Sequence, residues 1–349
     1  MRGIALIRIS LERASRGDRL AKPVFAVDGK MLLNTGVELD EAYLARLQEH
    51  GVSEIFVRAP HTASVAAEDG VSDASRIETL ACARACAEAV RENGASPARR
   101  VLDAVEGASD DLRRNRGRTL AVSPARSAND WWDAHARNVA LLSVATAAAL
   151  AADPAEIRHI GVGALLHDIG LVGLSSGPLW DPQQELEPPG RSHPVRGFQL
   201  LITNPDISAS SAIVCLQHHE RRDGSGFPKG PGAHQVALGA QICAIADTYD
   251  LLIAPPPFGQ GMMAHSALAE VSSRLELACP EALGAFARAV APYPAGTMLR
   301  MGDGPSAVVL ETAPGAAFMR LEVISRNGRP GRTVLDLPRA RWRAIEEVA

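Results

Sequence analysis

The chain has 349 residues, 46% of them hydrophobic, and a formal charge of −4 from 36 Lys+Arg against 40 Asp+Glu. That length accommodates two or three domains and a sizeable core, and the near-neutral balance excludes a protein that coats nucleic-acid polymers. The five cysteines, Cys82, Cys86, Cys215, Cys243 and Cys279, contain no CxxC pair, which fits reduced thiols in a cytoplasmic protein.

The N-terminus carries a charge every few residues and does not read as a signal peptide. Residues 1–60 read as a small α+β unit. Ile4 to Ile9 alternates as a strand does, Asp28-Gly29 marks a hairpin turn, Asp40 caps a helix that Gly51 ends, and Glu54 to Val57 returns as a strand. Residues 61–124 read as a helical linker region, broken at Gly94-Ala95-Ser96-Pro97. The basic run from Leu112 to Arg118 has no interleaved aromatic residue and reads as a solvated connection. The longest Ala/Leu run, Val139 to Ala152, is too short to span a bilayer, so no membrane partner is expected.

Residues 125–290 are helical again and hold a dispersed set of seven groups: His135, His167, Asp168, His193, His218, His219 and Asp247. Imidazole nitrogen and carboxylate oxygen are ligands for iron, manganese and zinc, and seven groups exceed the needs of one four-coordinate ion. In Asp153-Pro154-Ala155-Glu156 the aspartate is the cap, proline the first helical residue and glutamate the third, so a helix starts there. It runs to His167-Asp168-Ile169-Gly170 with both polar residues beside its apolar stripe, and ionisable groups aimed at a core need partners. In Gln217-His218-His219-Glu220, adjacent helical residues point about 100° apart. The two imidazoles therefore flank one ion only near a helix end, which the Gly224 to Pro228 loop supplies. Gly239, Cys243, Asp247 and Asp250 share a helical face, so one carboxylate reads as a ligand and the other as a supporting or substrate contact. Residues 291–349 contain four short β-prone runs, Thr297 to Met301, Ala307 to Glu311, Phe318 to Ile324 and Thr333 to Leu337, and read as an antiparallel meander with turns at Asp303-Gly304 and Asn327-Gly328.

The order His167-Asp168-Ile169-Gly170, His193-Pro194 with Gly197, HHERRDGSGFP and ADTYD resembles the HD-GYP subfamily of HD-domain metal-dependent phosphohydrolases. The fold this implies is mainly α, an HD-type helical bundle flanked by the small N-terminal α+β unit and the C-terminal β meander. The implied activity is hydrolysis of cyclic di-GMP to pGpG or GMP by a hydroxide held between two metal ions. The cofactors implied are two divalent ions, iron or manganese. By position, the seven groups match the metal ligands, Asp168 matches the bridging carboxylate, and His167 and Asp168 stand at the catalytic centre. Asp250, Arg196, Arg222, Gly226 and Phe227 match or neighbour substrate-contacting positions. The partner implied is cyclic di-GMP or a related nucleotide, with a second copy or a signalling protein as a further partner.

The departures from the family pattern are specific. Trp131 stands where trinuclear members have glutamate, so two ions are expected unless Asp130 or Asp133 compensates. Leu171 replaces a lysine, Phe227 a tyrosine, and the uncharged stretch Ala254 to Gly261 a basic one; Arg196, Arg221, Arg222 and Lys229 are the candidate replacements. A lysine restored at position 171 is expected to tighten substrate binding if its side chain reaches the site. The alternatives to a phosphodiesterase are a degenerate module that binds metal and signals through partners, or a phosphohydrolase for another nucleotide. His159, His234 and His265 match no family position and read as surface or loop residues.

Overall fold

The computed structural model describes residues 6–26, 30–50, 52, 54–58, 69–93, 97–122, 131–172, 190–230, 236–254, 261–301, 306–313, 318–324 and 330–348. The expectations for Asp28-Gly29, Gly51, Asp130, His234, Asp303-Gly304 and Asn327-Gly328 lie outside them.

In the N-terminal unit, β1 (Leu6–Ser10) pairs antiparallel with β4 (Glu54–Arg58), and β2 (Val24–Phe25) with β3 (Met31–Leu33). Helix α1 (Glu41–Glu49) starts where Asp40 accepts a 2.8 Å hydrogen bond from the Tyr43 amide, as its sequence predicts. Leu20, Leu39, Leu47, Ile55 and Val57 form this unit's own buried cluster.

Helices α2 (Asp73–Asn93) and α3 (Ala98–Arg114) are not a linker. Cys82, Cys86, Val101 and Val105 lie in one continuous hydrophobic core with Leu141, Val144 and Leu165 of the central helices. The basic run is largely exposed, as expected, but its first three residues, Leu112, Arg113 and Arg114, belong to α3, where Arg113 pairs with Asp110 and Arg114 with Asp111. The bundle continues with α4 (Trp131–Ala149), α5 (Pro154–Leu165), α6 (His193–Ile202), α7 (Ala209–Gln217), α8 (Leu238–Ile253), α9 (Ala264–Ser273) and α10 (Pro280–Ala289). Helix α4 lies at its centre, against α5, α8 and α10, and α7 packs on both α5 and α6. None of the helices among the described residues is long and apolar enough to cross a membrane.

The C-terminal strands β5 (Met298–Met301), β6 (Ser306–Thr312), β7 (Phe318–Ile324) and β8 (Pro330–Pro338) form the expected meander. A fifth strand, β9 (Ile345–Val348), returns to pair with β5, giving the order β8-β7-β6-β5-β9. The two ends of the chain meet here, where the Arg8 amide donates to the Gly296 carbonyl at 2.9 Å.

Candidate metal centre

Helix α5 begins as its sequence predicts, with Asp153 accepting from the Glu156 amide at 2.8 Å. It ends at Leu165, so His167 and Asp168 stand on the turn that follows rather than on the helix itself. Leaving the helix frees both side chains from its 100° spacing and lets them face the same centre. The short helical turn Ile169–Leu171 then passes directly beneath α6. Gly170 permits that approach, because a Cβ there would lie 2.0 Å from the His193 carbonyl oxygen and 2.8 Å from the Gly197 nitrogen.

Three histidines are oriented by the same device. His167 Nδ1 donates to Ala164 O at 2.8 Å, His193 Nδ1 to Gly190 O at 2.8 Å, and His218 Nδ1 to Cys215 O at 2.7 Å. Each acceptor is the carbonyl three residues earlier. His135, on α4, donates its Nδ1 to Asp250 Oδ2 at 2.7 Å instead. With Nδ1 engaged in this way, each ring turns its Nε2 toward the centre, where it can serve as a ligand when unprotonated.

All four Nε2 atoms converge on Asp168. Asp168 Oδ2 lies 3.3 Å from His167 Nε2 and 3.9 Å from His135 Nε2, while Oδ1 lies 3.2 Å from His193 Nε2 and 3.4 Å from His218 Nε2. The two carboxylate oxygens thus face two different sets of rings. Asp247 Oδ1 joins the first set, 3.2 Å from His135 Nε2, and His219 joins the second, its ring centroid 4.1 Å from that of His218. The ligand atoms of Asp168, His193, His218 and His219 lie within 4.8 Å of one another, as do those of His135, His167 and Asp168.

This arrangement of acceptors fits a cation and little else. The Nε2 atoms of His193 and His218 are 3.2 Å apart, where two lone pairs repel. Among the described residues, buried His167 Nε2 and Asp168 Oδ1 make no hydrogen bond. Burying such groups unsatisfied costs on the order of 1–3 kcal/mol each, and a divalent ion coordinated between them removes that cost. The electrostatics divide the set: burial works against the charged forms of His135 and His167, but Asp247 and Asp250 outweigh it and raise His135 to about 10, and Asp168 raises His167. Burial, with the neighbouring imidazoles, pushes His218 and His219 down to about 3, which keeps them neutral and able to bind metal at physiological pH. Burial works against the charged form of Asp168, but the surrounding His167, His193 and His218 outweigh it and hold the carboxyl well below the usual range.

Asp250 takes a different role from the expected substrate contact. It is fully buried, and its second oxygen accepts from Asn138 Nδ2 at 2.9 Å, so both oxygens are committed behind His135. It orients a ligand, and Asn138 orients it. Asp250→Asn should therefore lower metal affinity by roughly 10–100-fold, measured by chelator competition; unchanged affinity would remove Asp250 from the site. Trp131 stacks on the other side of this unit, with its ring 4.8 Å from His135 at 18°. Asp133 does not compensate for the missing glutamate, because its carboxylate lies 2.6 Å from Arg84 on α2.

The expected cations fare differently. Leu171 is buried in the apolar core, so a lysine there would meet hydrophobic side chains rather than substrate. Arg196 Nη1 donates to Gly170 O at 2.7 Å, Arg221 Nη1 to the His218 and Glu220 carbonyls at 3.1 and 3.0 Å, and Arg222 Nη1 to Leu275 O at 3.1 Å. Gly226 packs without room for a side chain, since a Cβ would lie 2.3 Å from His219 O. Phe227 stacks on His219, with ring centroids 4.5 Å apart at 19°. Buried Glu220 fixes this loop by accepting from the Lys229 and Gly230 amides, both at 2.8 Å. The sequence reading missed Asn138, Glu220 and Arg191, whose guanidinium lies 4.7 Å from the Phe227 ring centroid. His159 and His265 stand apart from the centre, on α5 and α9, and His265 Nδ1 lies 2.8 Å from the Tyr293 hydroxyl.

Comparison with known proteins finds several relatives. The chain is 29% identical over 304 residues to the cyclic di-GMP phosphodiesterase PA4108 of Pseudomonas aeruginosa, covering 78% of this chain and 73% of that protein. It is 31% identical over 158 residues to a cyclic di-GMP phosphodiesterase of Thermotoga maritima, 44% of this chain and 43% of that protein. Among solved structures it is similar to Bd1817, a HDG"Y"P protein from Bdellovibrio bacteriovorus, at 18% identity and a TM-score of 0.47, over 80% of this chain and 98% of that one. Residues 123–276, the span that holds all seven clustered groups, match the family described as HD domain.

Proposed function

We propose that this helical domain is an HD-GYP-type metal-dependent phosphodiesterase that hydrolyses cyclic di-GMP to pGpG or GMP. The observation that carries the reading is the division of Asp168, with one oxygen toward His135 and His167 and the other toward His193 and His218. That division supports two ion positions sharing one carboxylate. His135, His167 and Asp247 serve the first position, and His193, His218 and His219 the second. Two divalent ions, iron or manganese, supply Lewis acidity toward a phosphodiester and lower the pKa of bound water.

The protein's own residues do the rest. The Nδ1 bonds fix each ring, Asp250 and Asn138 hold His135, and the Glu220-pinned loop sets Phe227 on His219. The proposed domain limits are the N-terminal unit at 1–60, the HD domain at 125–290 and the C-terminal sheet at 291–349, with α2 and α3 belonging to the bundle. The two relatives named above are cyclic di-GMP phosphodiesterases by name, which supports a cyclic dinucleotide as the substrate class.

Elemental analysis of protein purified without chelator should give close to two iron or manganese ions per chain. The same sample should hydrolyse cyclic di-GMP with a high KM, because arginines engaged by backbone carbonyls and a buried Leu171 leave few cations for phosphate. Saturating cyclic di-GMP with metal bound and no turnover would rule out the phosphodiesterase reading and favour a module that signals by binding.

A further inference from the structure

We propose that Arg191 is the substrate-anchoring cation of this chain, its guanidinium held over Phe227 so as to receive the phosphodiester of a cyclic dinucleotide that is not being cleaved. The inference rests on the phosphodiesterase reading above and names a contact that this reading lacks. A cyclic dinucleotide carries two phosphodiesters, each with one negative charge. The metal centre takes one, and the other needs a cation of its own or stays in water.

Arg196, Arg221 and Arg222 already donate to backbone carbonyls, and position 171 is a buried leucine. Arg191 is exposed and, among the described residues, makes no hydrogen bond to the protein. Its position is nonetheless defined. It lies on the short turn Gly190–Ser192 that enters α6, and the Gly190 carbonyl holds His193 Nδ1 at 2.8 Å. One face of Phe227 is covered by His219 at 4.5 Å, so the guanidinium, 4.7 Å from the same centroid, takes the other. The result is a layered stack of metal-facing imidazole, phenyl ring and guanidinium.

An arginine stacked in this way keeps its charge and its in-plane N–H fork, already ordered for bidentate contact with phosphate. Phenylalanine in place of tyrosine offers an unbroken apolar face for the stack. Lysine retains the charge without the planar fork.

The experiment compares the wild type, Arg191→Ala and Arg191→Lys with cyclic di-GMP and with bis(p-nitrophenyl) phosphate, which has a single phosphodiester. Metal content and calorimetric Kd for cyclic di-GMP are measured alongside. Arg191→Ala is expected to raise KM and Kd for cyclic di-GMP about tenfold or more. Its kcat falls far less, its metal content holds, and the effect on bis(p-nitrophenyl) phosphate is much smaller; Arg191→Lys recovers part of the loss. Unchanged KM and Kd in Arg191→Ala overturn the proposal and leave the phosphodiesterase reading standing. Equal losses on both substrates also overturn it, because they place Arg191 at the cleaved phosphate or in the fold. If the wild type binds cyclic di-GMP without turnover, the phosphodiesterase reading fails and the Kd values alone decide on Arg191. A wild type that neither binds nor hydrolyses cyclic di-GMP overturns both.

Discussion

Asp168→Ala should strip the centre of its metal and reduce hydrolysis to background. The carboxylate faces four Nε2 atoms at 3.2 to 3.9 Å, two on each of its oxygens. Without it, the two groups of imidazoles are left with no shared anion, and an ion held between buried rings loses the charge that offsets its own. Both ion positions should therefore empty together rather than one at a time. His159→Ala is the matched control, because its half-buried side chain stands apart from the cluster, and it is its backbone carbonyl that accepts from Ser211 Oγ, at 3.0 Å. Elemental analysis with a turnover assay reads both variants. Equal losses in the two would mean that the wrong histidines have been assigned to the site.

Gly170→Ala should be as damaging, although it removes no ligand. The added methyl would lie 2.0 Å from the His193 carbonyl oxygen and 2.9 Å from its carbon, and these are backbone atoms that no rotamer change can move. Relief requires the turn after Asp168 and the start of α6 to separate, which takes His193 away from Asp168. A cost of about 3 kcal/mol or more is expected, with a fall in melting temperature on the order of 5 °C or more and loss of bound metal. Gly107→Ala gives the contrast: on α3 the new methyl meets only Ser75 Oγ at 3.6 Å, and alanine favours the helix by up to about 1 kcal/mol. A Gly170→Ala protein with wild-type melting and metal content would refute this account of how the two motifs are joined.

The sequence by itself determined the local elements and the membership of the buried His/Asp cluster. Asp40 and Asp153 start their helices because a cap needs only a side-chain oxygen and an amide three residues on. The strands Met298–Met301, Ser306–Thr312 and Phe318–Ile324 follow from short apolar runs between turn residues. His135, His167, Asp168, His193, His218, His219 and Asp247 were legible because imidazoles and carboxylates are rare in apolar helical segments and recur here in a known order.

What only the tertiary structure decided depends on distance between segments. The residues 61–124 look like a connection from composition alone, yet Cys82, Val101 and Val105 face the same core as Leu141. Asp247 and Asp250 are one helical turn apart on the same apolar helix. The approach of α4 sets His135 between them, its Nε2 toward Asp247 and its Nδ1 on Asp250. Arg196, Arg221 and Arg222 looked interchangeable as replacements for the lost lysine, but folding turned each of them onto a backbone carbonyl. Arg191 gains its meaning only when the loop of residues 223–230, far along the chain, lays Phe227 against it. Side-chain type is a property of one position, whereas the partner that gives it a role comes from another part of the chain, and packing alone brings the two together.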